Sequence, residues 1–405
     1  MDFSLLAGSS AITQLLLKVS FVFVAGDLLI TVFTIAYHRY FYDRFLKPRY
    51  NNDYSPRCAI IIPCKGVAKD LVRNLKGFLS LDYSEYRVVY AVESERDDAV
   101  PVIKEIVAND ARARLAVAGL SQHCAQKNHN LLAGLRETDD AEVYVFADAD
   151  IKPEPGWLKE LILPLAHPKV AATTGFRWLQ AKKGTVGELA HFYVNAFMYV
   201  LFVTACFFGG VGLWGGSMAI RRKDFDELNV ADKWARAGVD DMSLSYLVLK
   251  KRRKAVLVPH CVIHTDDLIP TLKGTVRWFE RQIMYLKAYQ KALWLFIGFP
   301  MVFFGMSFVL LLPIALLVAS LFGKSFFASG GGAALVFYIG ELLTVSLYPF
   351  IGVMHSAWKF YLLWPFLRVS QGISYLMTAL TNTITWAGIK YKMAFNGDVV
   401  SVKRP

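Results

Sequence analysis

The sequence is poor in charge and in cysteine. Only 19% of its 405 residues are charged and 55% are hydrophobic, whereas soluble proteins typically have about 25% charged and about 45–50% apolar residues. The apolar excess concentrates near the N-terminus and after residue 290, which predicts membrane segments around one soluble domain. The five cysteines show neither CxxC nor Cys/His metal spacing, so free thiols in a reducing compartment are expected at Cys58, Cys64, Cys124, Cys206 and Cys261.

Acidic residues are also outnumbered, since 33 Asp and Glu stand against 45 Lys and Arg and the net charge is +12. Such an excess suits nucleic-acid binding or attraction to an anionic membrane surface, and the apolar segments favour the membrane. The basic run Lys250–Lys254 is accordingly interpreted as a solvated or headgroup-facing patch rather than a nuclear signal. No nucleic-acid partner is expected.

The first apolar segment, 19–37, is long enough to span a bilayer. An acidic residue precedes it and no small-residue cleavage site follows, so it is not expected to be a signal peptide. Four basic residues follow at positions 39–49, which predicts residue 40 onward on the cytoplasmic side. Asp27 inside the segment has two interpretations: a functional intramembrane charge, or a partner of Lys18 or of another helix.

Two further spans are predicted at 292–323, where Pro300 separates an interfacial piece from the span proper, and at 330–353. Residues 357–388 mix charges with aromatic runs, which fits an interfacial helix as well as a span. Three spans are favoured overall, and the basic C-terminal tail is predicted to be cytoplasmic. The expected divisions are an N-terminal transmembrane helix (1–45), a cytoplasmic α/β domain (46–290), and C-terminal transmembrane and interfacial helices with a cytoplasmic tail (291–405).

The apolar stretch 195–214 is also of spanning length. A span there would place the acidic motifs "FADAD" and "GVDD" on opposite faces of the membrane. Its polar flanks and neighbouring glycine pairs favour an apolar segment inside the domain or dipping into the interface. This stretch is therefore not predicted to span.

Between the membrane segments, short apolar β-rich runs alternate with helix-like stretches. The predicted strands are 57–63, 86–92, 113–119 and 141–147. This βαβαβαβ order, with continuous apolar strands, predicts an α/β domain with a mostly parallel sheet and helices on both faces. Such sheets bind ligands beyond the carboxyl ends of their strands. The residues at these ends are polar or charged, namely Lys65, Glu93 to Asp98, and Asp148-Ala149-Asp150.

The motif "FADAD" places Asp148 and Asp150 directly after the fourth predicted strand. Two like charges so close repel each other unless a cation lies between them. Mg²⁺ and Mn²⁺ prefer oxygen ligands, and Mg²⁺ commonly shares them with substrate phosphates. The alternative is a solvated turn, so a metal site is one of two interpretations of these residues alone.

Other motifs fall near the same predicted edge. Asp97 and Asp98 in "VESERDDA" are candidates for a ribose or base contact, or for a helix N-cap. Lys127 opens a predicted helix, where a phosphate would meet a lysine and free N–H groups. Gly215 and Gly216 fit either a close approach of the backbone to a ligand or a tight turn.

Two later motifs supply candidates for a catalytic base and for a side chain that lines the substrate site. Asp240 and Asp241 begin an apolar helix, which fits N-capping or a general base that takes a proton from an attacking hydroxyl. Arg277 and Trp278 fit a phosphate contact and a sugar- or lipid-facing wall. A basic-aromatic anchor at the headgroups is the alternative for this pair.

In this order the motifs resemble those of membrane-bound family 2 glycosyltransferases, most closely the ceramide glucosyltransferase branch. The ordered set is more specific than any single motif. The resemblance implies a GT-A fold, a nucleotide-sugar donor and inversion at the anomeric carbon. The motifs lie within roughly 57–278 and read "IIPCKG", "VESERDDA", "AQKNHNLL", "FADADIKPEPGW", "TTGFRW", "LWGGSM", "GVDDMSL" and "VRW".

Carried over by motif, Asp241 resembles the catalytic base of the family. Asp148 and Asp150 resemble its metal-binding DxD, so Mg²⁺ or Mn²⁺ is the implied cofactor. The residues expected to bind the nucleotide-sugar are Lys65, Glu93, Asp97, Asp98, Lys127, Asp148, Gly215, Gly216 and Asp240.

Arg277 and Trp278 resemble the end of the (Q/R)xxRW motif, which implies a contact with the acceptor or the diphosphate. The first position of this motif is Gly274, which is neither Gln nor Arg. This departure weakens the implied contact unless Lys273 or Arg281 substitutes.

The resemblance implies an inverting enzyme that moves a hexose, glucose foremost, from a UDP-sugar to the hydroxyl of a membrane lipid such as ceramide. The alternatives are a processive polysaccharide synthase, which needs a secretion channel, and a non-catalytic membrane scaffold of the same fold. The expected location is a membrane with the catalytic domain in the cytoplasm, the bacterial inner membrane being favoured over Golgi or ER. The sequence leaves the lipid and the oligomeric state open.

Overall fold

A computed structural model describes residues 11–352 and 357–405, apart from 69, 139, 182, 266–268, 299–301, 303–316, 318, 320 and 322–330. Most of the span predicted at 292–323, with Pro300, therefore lies outside the described residues. The strands are β1 (Cys58–Pro63), β2 (Tyr86–Val92), β3 (Ala113–Val117), β4 (Val143–Ala147), β5 (Val170–Leu179), β6 (Ser217–Arg221), β7 (Lys254–Thr265), β8 (Thr383–Trp386), β9 (Ile389–Met393) and β10 (Val399–Lys403).

The α-helices vary from single turns to lengths that could cross a membrane. In chain order they are α1 (Ala11–Ala36), α2 (Leu71–Gly77), α3 (Val100–Asn109), α4 (Gln126–Leu135), α5 (Trp157–Ile162), α6 (Val186–Phe207), α7 (Arg222–Glu227), α8 (Val230–Trp234), α9 (Asp240–Lys250), α10 (Leu272–Tyr289), α11 (Gly331–Leu347) and α12 (Ala357–Ala379).

The central sheet has seven strands in the order β3-β2-β1-β4-β6-β5-β7. The first four run parallel, as the sequence predicts. The strand β6 runs antiparallel to both β4 and β5, while β5 and β7 are parallel. Successive residues of β1 enter different cores, Ile60 on one face and Ile61 on the other, because side chains alternate across a strand. The predicted fold class, a mostly parallel sheet covered on both faces with apolar helices near each end of the chain, is confirmed.

The strand order places two candidate motifs side by side. The order reverses between β1 and β4, which are hydrogen-bonded neighbours. Lys65 follows β1, and Asp148 follows β4. Ligands of open α/β sheets bind in the crevice outside such a switch point.

Among the described residues, three helices are long and apolar enough to cross a membrane, namely Gln14–Arg49, Val186–Phe207 and Gly331–Phe350. The second contains the first part of the stretch 195–214 that is not predicted to span. This helix, α6, packs against β5 and β7 of the central sheet as well as against α1 and α10. Length and composition do not test its position, so the non-spanning interpretation stays a prediction.

The charges in the apolar helices meet one another. Arg368 of α12 lies 2.7 Å from the Glu341 carboxylate of α11, and the Tyr193 hydroxyl of α6 donates a hydrogen bond to the same carboxylate at 3.2 Å. Asp27 of α1 lies beside Glu341 and Arg368. These neighbours fit the interpretation of Asp27 as a partner of another helix, and a functional role for its charge stays a prediction. Pairing of this kind is the usual solution for charges inside a bilayer.

The C-terminal segment, predicted to be a cytoplasmic tail, folds into an antiparallel sheet, and its side of the membrane stays a prediction. Its three strands lie in the order β10-β9-β8. In β9 the residues alternate between buried and exposed, with Tyr391 buried and Lys390 and Lys392 exposed. The prediction rested on the basic charge of the segment. It did not use the alternation of apolar and polar residues, which is typical of a strand with one buried face.

Candidate active site

A cavity of about 570 Å³ lies at the switch point and continues to the long helices. Part of its lining is polar, namely Lys65 and the four aspartates Asp148, Asp150, Asp240 and Asp241, and is called the polar end. The apolar end is the group of apolar lining side chains from α6 and α10, including Met198, Leu201, Phe202, Ile283 and Leu286, beside polar residues of the same helices such as His191 and Gln282. The volume falls within the range of about 300–1,000 Å³ that is usual for small-ligand sites.

The glycine pair before β6 lets the acidic side chains approach the backbone. The Gly215 N–H donates a hydrogen bond to Asp241 Oδ2 at 2.9 Å, and a Cβ at Gly215 would collide with Asp240. A Cβ at Gly216 would collide with the Trp214 ring and lie 2.8 Å from Asp148 Oδ2. The structure shows the tight turn, which the Ser217 N–H closes on the Trp214 carbonyl at 3.0 Å, with no room for a side chain at either glycine. The approach of this backbone to a ligand stays a prediction.

Lys127 ties two of the acidic motifs together. Its ammonium group lies 2.9 Å from Asp148 and 3.0 Å from Asp240. Burial by itself would lower the pKa of Lys127, but the carboxylates of Asp148, Asp240 and Asp241 outweigh it and hold the pKa above its ordinary value. Burial would likewise raise the pKa of Asp148, yet the charges of Lys127 and Arg177 keep that pKa below its ordinary value. Lys127 therefore stays positively charged and Asp148 stays ionised at neutral pH.

Arg177 of β5 holds the two aspartates of the DxD motif. It donates to both carboxylate oxygens of Asp150, one of them at 2.9 Å, and lies 3.6 Å from Asp148. Its guanidinium stacks over the Trp214 ring at 5.3 Å. The sequence reasoning missed this residue, although the motif "TTGFRW" that contains it was among those that carried the resemblance.

The same pair of carboxylates is the predicted metal site. Among the described residues, no group of three or more His, Cys, Asp or Glu side chains is arranged to hold a metal ion. Asp148 and Asp150 nevertheless both reach one cation, the Arg177 guanidinium. Mg²⁺ needs only one or two protein carboxylates when phosphates and water complete its shell. The two residues thus fit a divalent ion if Arg177 gives way, and the metal role stays a prediction.

Asp241 has the surroundings of a base that is active near neutral pH. Burial and the neighbouring Asp240 charge raise its pKa to about 7. Its Oδ1 accepts the N–H of Met242 at 2.6 Å, and the N-cap position of α9 is Val239, with no side-chain cap. Neither aspartate occupies the N-cap position, but Asp241 does accept a first-turn N–H, so helix-end stabilisation and the role of base both stay open.

The remaining nucleotide candidates lie beside the cavity. Lys65 lines it and pairs with Glu93 at 2.9 Å. Asp97 accepts the backbone N–H of Gly66 at 2.8 Å and thus shapes the loop after β1, while Asp98 is exposed. Glu93, Asp97 and Asp98 do not line the cavity, so their nucleotide role stays a prediction.

The residues of α10 that line the cavity are only in part those of the (Q/R)xxRW-like motif. Trp278 lines the cavity and meets the His191 ring edge-on at 4.3 Å between centroids. Arg277 is exposed and does not line it. Arg281, one turn further on, and Gln282 do line it, so Arg281 is the better placed of the two residues considered as substitutes for the missing Gln or Arg.

The cavity also has a wall that the sequence did not reveal. Trp386, Ile389 and Tyr391 of the C-terminal sheet line it. They lie more than 100 positions beyond Arg281 in the chain, and no local pattern relates them to the acidic motifs. Only the folded chain brings them together.

Comparison with known proteins agrees with the motif order. The sequence profile of glycosyl transferase family 21 matches residues 26–399. Ceramide glucosyltransferase 1 of Caenorhabditis elegans is 19% identical over 359 residues, which cover 86% of this chain and 74% of the relative. Ceramide glucosyltransferase 3 of the same organism is 19% identical over 426 residues, covering 98% of this chain and 85% of the relative.

Among solved structures, a mannosyltransferase of Pyrobaculum calidifontis in complex with GDP-mannose and Mn²⁺ is 17% identical with a TM-score of 0.48. The match covers 87% of this chain and 99% of that one. The resemblance to the ceramide glucosyltransferase branch is confirmed by the profile, which spans most of the chain, and by the curated relatives. The chain is a membrane protein of glycosyl transferase family 21.

Proposed function

We propose that this protein transfers a hexose, glucose foremost, from a UDP-sugar to a hydroxyl of a membrane lipid such as ceramide, with inversion at the anomeric carbon. The observation that carries the proposal is this cavity, in which four aspartates share one space with the apolar side chains of α6 and α10. A lipid hydroxyl that follows its apolar chain along these helices would arrive beside Asp241.

The donor would bind at the polar end. Lys127 lies in the first turn of α4, where the helix N-terminus and a positive side chain together favour phosphate. Arg177 offers a planar fork of donors that suits phosphate oxygens. Asp148 and Asp150 would hold a Mg²⁺ or Mn²⁺ ion, whose charge balances the diphosphate when it is bound. Lys65 and Asp240 lie around the same space, and we assign them to the donor as well.

Asp241 would act as the general base. Its carboxylate takes the proton from the lipid hydroxyl, and the hydroxyl oxygen forms a bond to the anomeric carbon. The bond between that carbon and the diphosphate oxygen breaks, and its electron pair leaves with UDP. A base whose pKa lies near the working pH combines the correct protonation state with sufficient basicity. Trp278 would form the wall beside the sugar or the lipid.

We further propose that residues 46–290 form the cytoplasmic catalytic domain and that the protein lies in a bacterial inner membrane. The basic residues after the first helix support this orientation. The run Lys250–Lys254, exposed except for the half-buried Arg253, would then face the anionic cytoplasmic leaflet or the solvent.

The test is product formation by the purified full-length protein in lipid nanodiscs. UDP-glucose, UDP-galactose and UDP-N-acetylglucosamine are each offered with ceramide, diacylglycerol or no acceptor, and products are measured by mass spectrometry. A lipid that carries one hexose is the expected product. Long sugar chains would indicate a polysaccharide synthase instead, and failure to cleave any donor would indicate a scaffold.

A further inference from the structure

The C-terminal sheet docks directly on the loop that leads into α9. The Val399 N–H donates to the Arg236 carbonyl at 2.7 Å, and the Gly238 N–H donates to the Gly397 carbonyl at 3.2 Å. Asp398 lies 2.6 Å from the Lys233 ammonium and 3.4 Å from Arg236. The loop ends at Asp240, so these contacts fix the backbone immediately before the two aspartates.

The same loop is held from two further sides. The Tyr289 hydroxyl donates to the Gly397 carbonyl at 2.6 Å and accepts the Gly238 N–H at 3.1 Å. Met393 of β9 covers Gly238, where a Cβ would lie 2.6 Å from its terminal methyl group. Gly397 has φ of +81°, and a Cβ there would collide with the Tyr289 ring. The loop, α10 and the C-terminal sheet therefore pack without room for an added side chain.

A second contact of the sheet reaches the start of α4. The Gln126 N–H donates to the Tyr391 hydroxyl at 3.2 Å. Arg404 donates to the Gln126 side-chain oxygen at 2.5 Å and to the Ser121 carbonyl at 3.2 Å. The next residue in the chain is Lys127, the group that pairs with Asp148 and Asp240.

We infer that the C-terminal sheet positions Asp240, Asp241 and Lys127 for the reaction, and that Asp398 and Arg404 are positioning residues that act through these three. Loops that carry functional residues are usually the variable and mobile part of a fold. Here the C-terminal segment supplies backbone hydrogen bonds and ion pairs to the loop before α9, and side-chain hydrogen bonds to the start of α4. Misplacement of a reacting group by about 1 Å can cost about 10²-fold in rate. The expected effect on the rate rests on the proposed function, whereas the expected effect on the order of the loop before α9 does not.

The structural arm measures hydrogen–deuterium exchange of the full chain without substrates. In Asp398→Asn, backbone amides at 236–243 should exchange on the order of tenfold faster, because the loop loses its charged anchor. Ser401→Ala, on the exposed side of β10, is the matched control and should leave this exchange unchanged. Unchanged exchange in Asp398→Asn would overturn the inference whether or not the protein has the proposed activity.

The kinetic arm separates kcat from KM. Asp398→Asn should lower kcat about tenfold and raise the donor KM by a smaller factor, since the loop that it anchors leads to Asp241 as well as to Asp240. Arg404→Gln should raise donor KM more than it lowers kcat, because it acts beside Lys127. The inference fails if both variants match wild type, or if kcat falls only as far as the folded fraction seen in thermal unfolding. A wild-type protein without any transfer would refute the proposed function, and the exchange arm would then decide the inference.

Discussion

The two ends of the cavity hold their side chains in opposite ways. At the polar end, Lys127 and Arg177 bind Asp148, Asp150 and Asp240 through short ion pairs in fixed positions. At the apolar end, α6 and α10 contribute apolar side chains that pack against the hydrophobic core, and such packing has no preferred direction. Directional contacts suit a small charged donor whose reacting carbon must be placed closely. Non-directional ones suit a lipid chain, for which only shape and burial count.

The sharpest test of the polar end removes the candidate base. Asp241→Asn keeps the size of the side chain but cannot accept a proton, so kcat for transfer should fall by roughly 10²–10⁴-fold. Asp226→Asn, at an exposed position of α7, is the matched control and should behave like wild type. Retention of more than a few per cent of wild-type kcat by Asp241→Asn would remove Asp241 from the role of base.

A change at the apolar end should affect only the lipid. Leu201→Trp adds volume where the chain of the acceptor would lie, so lipid transfer should fall by about 50-fold, since a filled pocket rejects its ligand. Hydrolysis of UDP-sugar without acceptor should stay within about twofold of wild type. Leu249→Trp, at an exposed position on α9, controls for a bulky surface residue.

An equal loss of hydrolysis and transfer in Leu201→Trp would show that the two ends are not separate. In that case the cavity would be one donor site rather than a donor site joined to a lipid site.

The pH dependence of transfer reports on the polar end alone. Because the pKa of Asp241 is raised to about 7, the carboxyl group is protonated below that pH and cannot act as base. We expect kcat/KM to fall about tenfold per pH unit below roughly pH 7 and to level off above it. The residual activity of Asp241→Asn should lack this acidic limb. A wild-type profile that stays flat down to pH 5 would contradict the assignment.

The smallest effect concerns the competition between Arg177 and a metal ion. Arg177→Gln frees Asp148 and Asp150 from a competing cation, so Mn²⁺ should bind the substrate-free protein about three- to tenfold more tightly, as electron paramagnetic resonance can measure. Arg73→Gln, on the surface of α2, should leave Mn²⁺ affinity unchanged. Weaker Mn²⁺ binding in Arg177→Gln would mean that the DxD pair is not the metal site.

The strands of the first half of the sheet were readable from the sequence because each is a continuous apolar run. The predicted strand 86–92 coincides with β2, and the other three differ by a few residues at their ends. A strand that is buried on both faces appears in the sequence as a continuous apolar run, and this does not depend on which strands are its neighbours. The antiparallel insertion of β6 between β4 and β5 was not readable, since strand direction depends on partners far along the chain.

The acidic motifs of the candidate site were also found from the sequence, because charge at the end of an apolar strand is conspicuous. Their pairing was not. Arg177 lies in the interior of β5 and joins the site only because β5 and β4 flank the same strand, β6. The sequence did not predict that the C-terminal sheet lines the cavity, because the burial of that sheet depends on α10 and on the loop before α9, which are distant in the chain.

The sequence by itself determined the apolar helices α1 and α11, the parallel half of the sheet and the positions of Asp148, Asp150, Asp240 and Asp241, since hydrophobic period and charge are local properties. Only the tertiary structure decided which cations those aspartates meet, that Asp27 faces Glu341, and that the C-terminal strands enclose the cavity. The physical reason is the same in each case. An ion pair or a docked sheet is a property of two segments, and its energy depends on their distance and burial, which neither segment specifies alone.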